Sequence, residues 1–250
     1  MNTHHYWAQD SFFYHIYPLG FCGAPQHNDF TSSPVPRLES IRGWLDHLQY
    51  LGVNALYLGP LFESSAHGYD TADYFQVDRR LGDRQTLAHL VNEIHNRGMH
   101  IILDGVFNHV GRHFWAFRDV QEKGQQSAYK DWFTRLDFSS HSPFGDPFSY
   151  EGWENHFDLV KLNLQNPTVT AHLFKAVEMW VQEFDIDGLR LDVAYSLDKA
   201  FLHNLSAHCH ALKPDFWLLG EIIHGNYTKW VNSKALDSAT NYECYKGLYS

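Results

Sequence analysis

Short apolar runs alternate with longer stretches of helical periodicity over most of the chain. Runs of apolar, β-branched and aromatic residues predict buried strands at residues 12–17, 55–58 and 100–103, around Leu189 and around Phe216. Apolar residues at three- and four-residue spacing predict helices at residues 38–51, 87–96, 167–184 and 197–212. Strands and helices therefore take turns, which is the order expected of a parallel sheet.

The connections from helix to strand are short. Gly52 and Gly98 follow predicted helices, and the next strand begins within a few residues, as tight connections require. A doubly wound sheet would give the same alternation, but no Gly-x-Gly-x-x-Gly turn follows the first strand, and polar residues recur where strands end. We therefore predict an α/β fold of the (β/α) barrel type, with its active site at the carboxyl ends of the strands.

The alternation stops between Val110 and about Gln165. Aromatic residues are mixed there with Ser, Gly, Pro and Asp, and neither a helical nor a strand period survives over a long window. We predict a loop-rich insertion after the third strand, at residues 111–165, which divides the barrel into segments 1–110 and 166–250. Long loops at a catalytic face often shape a cleft, so its aromatic residues have either a binding role or a plain packing role.

Composition indicates a globular, acidic protein. Aromatic residues make up 16% of the chain, and flat rings suit the apolar faces of pyranose sugars, although many rings belong to the core. The formal net charge is -10 and lysine and arginine form no cluster, which argues against a nucleic-acid partner. We expect a neutral or cationic ligand.

The chain carries no sequence signal for a membrane or for disulfide bonds. No stretch is long enough to cross a bilayer, and the first ten residues lack a basic segment followed by an apolar one. Cys22, Cys209 and Cys244 are widely spaced and odd in number, so they support neither a disulfide framework nor a paired zinc motif. We predict a cytoplasmic protein. The 18 histidines are scattered, without the spacing of a specific metal site.

Chemically active residues stand at the ends of two apolar runs. In residues 188–193, Gly-Leu-Arg-Leu-Asp-Val, Arg190 and Asp192 are two positions apart on a strand and must point to the same face. The guanidinium is expected to keep Asp192 ionised near neutral pH, which suits a nucleophile. Glu221 follows Trp217-Leu218-Leu219, and apolar surroundings would favour a protonated acid. The alternative is a structural ion pair and an unrelated glutamate.

Four segments, in this order, together resemble the α-amylase superfamily, glycoside hydrolase family 13. They are His-Gly-Tyr-Asp at 67–70, Asp-Gly-Val-Phe-Asn-His at 104–109, Gly-Leu-Arg-Leu-Asp-Val at 188–193 and Gly-Glu-Ile-Ile at 220–223. The segment Phe-Asp-Leu-Val-Lys-Leu-Asn at 157–163 resembles a fifth signature, nearest the neopullulanase and oligo-1,6-glucosidase-like branch. The resemblance implies a (β/α)8 TIM barrel with an inserted domain B, and a glycosidase acting on α-glucans in carbohydrate metabolism.

The resemblance also implies a role for individual residues. Asp192 corresponds to the nucleophile and Glu221 to the general acid/base of a retaining α-glycoside hydrolase. Geometry supports this pairing, because carboxylates on adjacent parallel strands, about 4.8 Å apart, can approach the roughly 5 Å separation of retaining enzymes. The resemblance implies further substrate-binding roles for Tyr69, Asp104, His109, Arg190 and His224.

These substrate-binding roles differ in kind. By the resemblance, Asp104 orders Arg190, His109 hydrogen-bonds the sugar at the cleavage site and Tyr69 stacks beneath it, while His224 faces the next sugar. No cofactor is implied. Asn108 corresponds to a calcium-linked position in many amylases, but the other calcium ligands are not recognisable in this sequence.

The main departure from the family pattern is a missing third carboxylate. The family has an aspartate after a histidine at the end of the seventh strand, and no counterpart follows Glu221. We expect an amino-terminal part of a barrel, truncated after about strand 5 or 6, which is inactive by itself. The expected partner is an oligosaccharide or polysaccharide α-glucan. Open alternatives are a transglycosylase or sugar isomerase of the same family and a non-catalytic glycan-binding or scaffold relative.

Overall fold

The computed structural model describes residues 7–249. Its strands are β1 (Phe13–Ile16), β2 (Ala55–Leu58), β3 (Phe62–Ser64), β4 (Thr71–Val77), β5 (His100–Gly105), β6 (His109–Gly111), β7 (Gly152–Trp153), β8 (His156–Lys161), β9 (Gly188–Leu191), β10 (Trp217–Gly220) and β11 (Ser238–Ala239). Its α-helices are α1 (Pro18–Phe21), α2 (Glu39–Arg42), α3 (Leu45–Tyr50), α4 (Arg84–His95), α5 (Trp115–Lys123), α6 (Pro167–Phe184), α7 (Lys199–Leu212) and α8 (Tyr242–Tyr249).

Six strands form one parallel sheet in the order β1-β2-β5-β9-β10-β11. Each new strand is added beside the previous one in chain order, with helical crossovers between most neighbours, as in a (β/α) barrel. In residues 7–249 the two outermost strands, β1 and β11, have a partner on one side only. The carboxyl ends of all six strands lie on the same side of the sheet, where the chemically active residues are.

The predicted strands and helices are found, with differences at three places. The predicted helix 38–51 is split into α2 and α3 around Gly43. The predicted sixth strand is only the two residues of β11, and α8 follows it after a short turn. Between β2 and α4, the structure contains an antiparallel hairpin, β3 and β4, that the sequence pattern did not predict. Its first strand has three residues, too few for a period of two to be recognised.

A buried ion pair lies directly after the second strand of the hairpin. Arg80 Nη2 lies 2.7 Å from Asp78 Oδ2, and both side chains are buried. Arg80 Nη1 also donates to the backbone oxygens of Pro25 and Ala66, at 3.1 and 2.8 Å. This guanidinium therefore fixes the loop that leads into residues 67–70 at the carboxyl edge of the sheet.

The predicted insertion contains a second small sheet. Strands β6, β8 and β7 are antiparallel in the order β6-β8-β7, and α5 follows β6 in the chain. Because β6 begins at His109, this sheet starts directly after the motif that ends β5. Gly111 at the end of β6 lies against the backbone of Asp70. Any side chain at this position would clash, because a Cβ would lie 2.3 Å from the backbone oxygen of Asp70. The boundaries at 110 and 165 remain a prediction.

Most aromatic residues of the insertion pack against one another. Phe117 makes edge-to-face contacts with Phe133, Phe148 and Tyr150, with ring centroids 5.0–5.9 Å apart, and all four rings are buried. Trp153 lines the cleft described below, and Phe144 is exposed. The packing alternative thus holds for most of these rings. No helix within residues 7–249 is long and apolar enough to span a membrane.

Candidate active site

A cleft of about 420 Å³ opens at the carboxyl ends of β9 and β10. Pockets of this size commonly bind small molecules. Five of the seven predicted site residues lie in its wall; Asp104 and His224 do not. The lining residues are His67, Tyr69, His109, Trp153, Glu154, Leu159, Arg190, Asp192, Val193, Tyr195, Glu221 and Ile223.

Arg190 is the centre of the charged part of the cleft. Its Nη1 lies 2.9 Å from both Asp104 Oδ1 and Asp192 Oδ1, and its Nη2 lies 2.9 Å from Glu221 Oε1. Arg190 and Asp192 thus point to the same face of β9, as the two-residue spacing predicted. One guanidinium faces three carboxylates, all of them on strand ends: Asp104 on β5, Asp192 after β9 and Glu221 after β10.

Arg190 was expected to keep Asp192 ionised near neutral pH, but other features of the site oppose that effect. Burial, followed by the negative charges of Asp104 and Glu221, raises the pKa of Asp192 to about 7 against the opposing effect of Arg190. A single cation is shared among three acids, so its attraction does not offset both desolvation and repulsion at Asp192. The charge on the candidate nucleophile is therefore sensitive to pH near neutrality.

This raised pKa predicts a pH-dependent cost in stability. An acid whose pKa is higher in the folded chain favours folding below its unfolded pKa, and that contribution is lost as pH rises through the folded pKa of about 7. Asp192→Asn should therefore gain stability over the parent chain progressively between about pH 4 and 8, by roughly 1–3 kcal/mol at the upper end. Thermal unfolding across this range measures the gain; Asp158→Asn, at an exposed site, is the control. A difference that does not vary with pH would contradict the prediction.

Glu221 does not lie in the apolar surroundings expected from Trp217-Leu218-Leu219. Besides its contact with Arg190, its Oε2 accepts a hydrogen bond of 2.8 Å from the backbone N–H of Val193. Val193 adopts a left-handed conformation with φ of 40°, which is rare for a β-branched residue and costs of order 1–3 kcal/mol. This strained turn directs a backbone donor at the candidate acid/base.

His109 and Tyr69 line the cleft together with Asp192. His109 Nε2 lies 3.8 Å from Asp192 Oδ2 and has no hydrogen-bond partner among the residues that the structure describes. Burial lowers the pKa of His109 to about 3, so its imidazole is neutral and can offer one N–H to a ligand. Burial, followed by the charge of Asp104, raises the pKa of Tyr69, whose phenol therefore stays protonated in the cleft.

Asp104 lies beneath the cleft rather than in its wall, and it is held by a residue that the sequence analysis missed. Tyr57 on β2 donates a hydrogen bond of 2.7 Å to Asp104 Oδ2, and its ring lies 5.8 Å from the guanidinium carbon of Arg190. His15 stacks on Tyr57 at 4.1 Å, in register on the neighbouring strand β1. The sequence did offer a signal for both residues, because His15 and Tyr57 are polar positions within the apolar runs of β1 and β2.

The catalytic-domain model of the α-amylase family matches residues 15–248 of the chain. The chain belongs to the α-amylase family.

Relatives of this α-amylase-family chain are similar over nearly its whole length. Neopullulanase 2 from Thermoactinomyces vulgaris is 40% identical over 94% of the chain and 42% of the relative, and a Bacillus cyclomaltodextrinase is 38% identical over 94% of the chain and 44% of the relative. The chain therefore spans less than half the length of these relatives. The structure of cyclic α-maltosyl-(1→6)-maltose hydrolase from Arthrobacter globiformis superposes with a TM-score of 0.83 at 32% identity, covering 94% of the chain and 56% of that protein.

These comparisons confirm the predicted family and the predicted fold. The six-stranded sheet corresponds to part of the TIM barrel of the α-amylase family. A closed barrel of this type has eight strands, two more than the sheet formed by residues 7–249.

Two predicted positions of this α-amylase-family chain lie apart from the cleft. His224 is exposed and is not among the lining residues, so the structure does not bring it to Asp192 and its predicted role remains a prediction. Asn108 is buried, with its Nδ2 3.2 Å from His109 Nδ1. Across residues 7–249, no group of three histidine, cysteine, aspartate or glutamate side chains is arranged to hold a metal ion.

Several cleft residues were not among the sequence predictions. His67 belongs to the recognised 67–70 motif but had no assigned role, and Trp153 and Glu154 lie in the aromatic insertion. Tyr195 follows Asp192 by three residues, in a 3₁₀ turn. For Glu154 and Tyr195 no local signal was available, because only the tertiary fold places a hairpin of the insertion over the end of β9.

Proposed function

We propose that the complete protein containing this chain is a retaining α-glycoside hydrolase of the α-amylase type, acting on α-glucans such as maltodextrins. The proposal rests above all on Asp192 and Glu221, which follow adjacent parallel strands in one cleft and contact the same guanidinium. Neighbouring parallel strands are about 4.8 Å apart, which suits the roughly 5 Å carboxylate separation of a retaining glycosidase.

Each carboxylate has a distinct role in the proposed reaction. Asp192 Oδ1 is held by Arg190, so we infer that Oδ2 attacks the anomeric carbon and forms the glycosyl ester. Glu221 gives its proton to the departing glycosidic oxygen as the C–O bond breaks. Glu221 then takes a proton from water, which attacks the anomeric carbon, breaks the ester bond and restores the Asp192 carboxylate. His109 and Tyr69 would contact the sugar beside Asp192.

The names of similar proteins support a glucan as substrate. They are a cyclomaltodextrinase, a neopullulanase and a cyclic maltosyl-maltose hydrolase, the last also solved with its cyclic sugar bound. We propose that the 250 residues alone do not turn over substrate, since the family pattern includes an aspartate directly after a histidine and no such pair follows Glu221. A cytoplasmic location is part of the proposal, and the free thiols of Cys22, Cys209 and Cys244 support it.

The stereochemistry of the first product tests the proposal. Two successive displacements at the anomeric carbon, first by Asp192 and then by water, retain configuration. Proton NMR of the complete protein with maltotriose should therefore show the α-anomer of the newly formed reducing end before mutarotation. The β-anomer formed first would mean an inverting enzyme and would exclude Asp192 as nucleophile, whereas no cleavage of any α-glucan would favour a non-catalytic glycan-binding protein.

The same experiment separates hydrolysis from its alternatives within the family. A transglycosylase would pass the glucosyl or maltosyl unit to an added sugar acceptor and give longer products, and an isomerase would give a disaccharide with a new linkage. Both alternatives share the Asp192 ester with the hydrolase. Product analysis with maltose as acceptor therefore decides which molecule resolves that ester.

A further inference from the structure

We propose that Tyr57 is a positioning residue whose hydroxyl keeps Asp104 ionised, so that the proton shared within the carboxylate cluster settles on Asp192. The inference deepens the proposed function and rests on it, because Asp192 must lose this proton before it can attack a sugar. Tyr57 does not line the cleft, so it would influence the reaction only through Asp104.

The register of the sheet places Tyr57 close to Asp104. Tyr57 on β2 is paired with Ile102 on β5, and Asp104 lies two residues further along β5, so its side chain points to the same face as that of Ile102. Asp104 is in turn paired with Arg190 on β9. On the other side, His15 on β1 is paired with Tyr57 and stacks on its ring, with the centroids 4.1 Å apart. The phenol is therefore held from both neighbouring strands.

Both carboxylate oxygens of Asp104 face a donor. Oδ1 lies 2.9 Å from Nη1 of Arg190, and Oδ2 accepts a hydrogen bond of 2.7 Å from the hydroxyl of Tyr57. Burial, followed by the charge of Asp104, raises the pKa of Tyr57, so the hydroxyl keeps the proton that it donates. A proton on Asp104 would displace one of these donors and leave it unpaired around a fully buried side chain. The hydrogen bonds therefore favour the ionised form of Asp104.

Asp192 has a less constrained oxygen. Its Oδ1 lies 2.9 Å from the same nitrogen of Arg190, whereas Oδ2 faces Nε2 of His109 at 3.8 Å, which is beyond hydrogen-bonding distance. Among the described residues, none donates a hydrogen bond to this Oδ2, so a proton can be added there without displacing a donor. Because the two acids repel each other across one cation, a proton on Asp192 also relieves the repulsion on Asp104.

Other ionisable groups surround the two acids but do not distinguish between them in this way. They are Tyr69, Tyr74 on β4, His109, Arg190, Tyr195 and Glu221. In residues 7–249, only Arg190 and Tyr57 donate a hydrogen bond to Asp104. Since Arg190 contacts both acids equally, at 2.9 Å, the hydroxyl of Tyr57 is the contact that sets Asp104 apart from Asp192.

Tyr57→Phe in the complete protein removes this donor and keeps the ring. Asp104 should then take up the proton, and Asp192, relieved of a neighbouring charge, should ionise at lower pH. We expect the acidic limb of kcat/KM for maltotriose, plotted against pH, to move down by about one pH unit. Tyr74→Phe is the matched control, because it removes an equally buried hydroxyl that donates at 2.6 Å to the backbone oxygen of Val106 and should keep the parent limb.

A second substitution tests whether Tyr57 acts through Asp104. Asp104→Asn should by itself lower the acidic limb at least as far as Tyr57→Phe, because the neighbouring negative charge is gone. Adding Tyr57→Phe to Asp104→Asn should move the limb no further. An acidic limb that stays at the parent pH in Tyr57→Phe, or an equal further shift in the double variant, would overturn the inference, since a merely structural tyrosine would lower the rate without this pattern.

Chemical modification of Asp192 gives a readout that does not depend on glucan cleavage. A water-soluble carbodiimide adds to protonated carboxyl groups, so peptide mass spectrometry after reaction with glycine methyl ester follows the protonation of Asp192 against pH. Half-maximal modification should occur about one pH unit lower in Tyr57→Phe than in the parent, while the exposed Asp158 should not change. If the parent cleaves no α-glucan, the proposed function fails, and this measurement still decides the inference: an unchanged pH of half-modification at Asp192 would overturn it.

Discussion

Replacing Asp192 with alanine should lower hydrolysis of maltotriose by the complete protein about 10⁵-fold, because no other carboxylate can form the glycosyl ester. Asp104 cannot substitute for it, since its side chain is buried beneath Arg190 and bonded to Tyr57. Initial rates of glucose release measure the loss. Circular dichroism and thermal unfolding of the same variant show whether the fold is intact.

Azide rescue of Asp192→Ala makes this prediction specific to a nucleophile. Azide entering the space left by the carboxylate should attack the anomeric carbon of p-nitrophenyl α-maltoside and give the β-configured maltosyl azide, with one inversion. Glu221→Gln differs, because nitrophenol leaves without protonation and this substrate should retain much of its first-step rate. Near-parental hydrolysis of maltotriose by Asp192→Ala would contradict the nucleophile assignment.

Replacing Arg190 with methionine should produce the largest loss of stability. Arg190 is 7% exposed and is the cation that contacts Asp104, Asp192 and Glu221, which would be left as buried like charges. Removing one partner from a buried ionic cluster typically costs 3–5 kcal/mol, and the shared role of Arg190 places it at about 4 kcal/mol or more. For a domain of this size the midpoint of thermal unfolding should fall by roughly 8–16 °C.

A double variant tests the cause of this loss. If repulsion among the carboxylates is responsible, Arg190→Met combined with Asp192→Asn should be more stable than Arg190→Met alone, because one buried charge is gone. The destabilisation by Arg190→Met should also be smaller at pH 5 than at pH 8, since the raised pKa of Asp192, about 7, lets it be neutral at the lower pH. Additive effects of the two substitutions, with no dependence on pH, would show that lost packing is the cause.

Most of the barrel and the motif residues could be predicted from the sequence, because these features depend on local pattern. Helix α6 has the predicted bounds, owing to an Asn166 cap, a proline at the first position and a left-handed Asp185 at its end. The common direction of Arg190 and Asp192 follows from the period of a strand. The hairpin of β3 and β4 was missed because β3 has only three residues, and its register with β4 is interrupted by irregularities that no period in the sequence marks.

By itself, the sequence determined the family, the parallel order of strands and the candidate nucleophile and acid/base, since each is encoded within a few consecutive residues. The tertiary structure alone decided how the charges balance. It placed Asp104, Asp192 and Glu221 around one guanidinium, so burial and repulsion raise the pKa of Asp192 against the attraction of Arg190, which was the only effect that the local sequence pattern showed. It also brought Glu154 to Tyr195 across 41 positions of sequence. Electrostatic energies and contacts between distant segments depend on distances in three dimensions, which no local pattern contains.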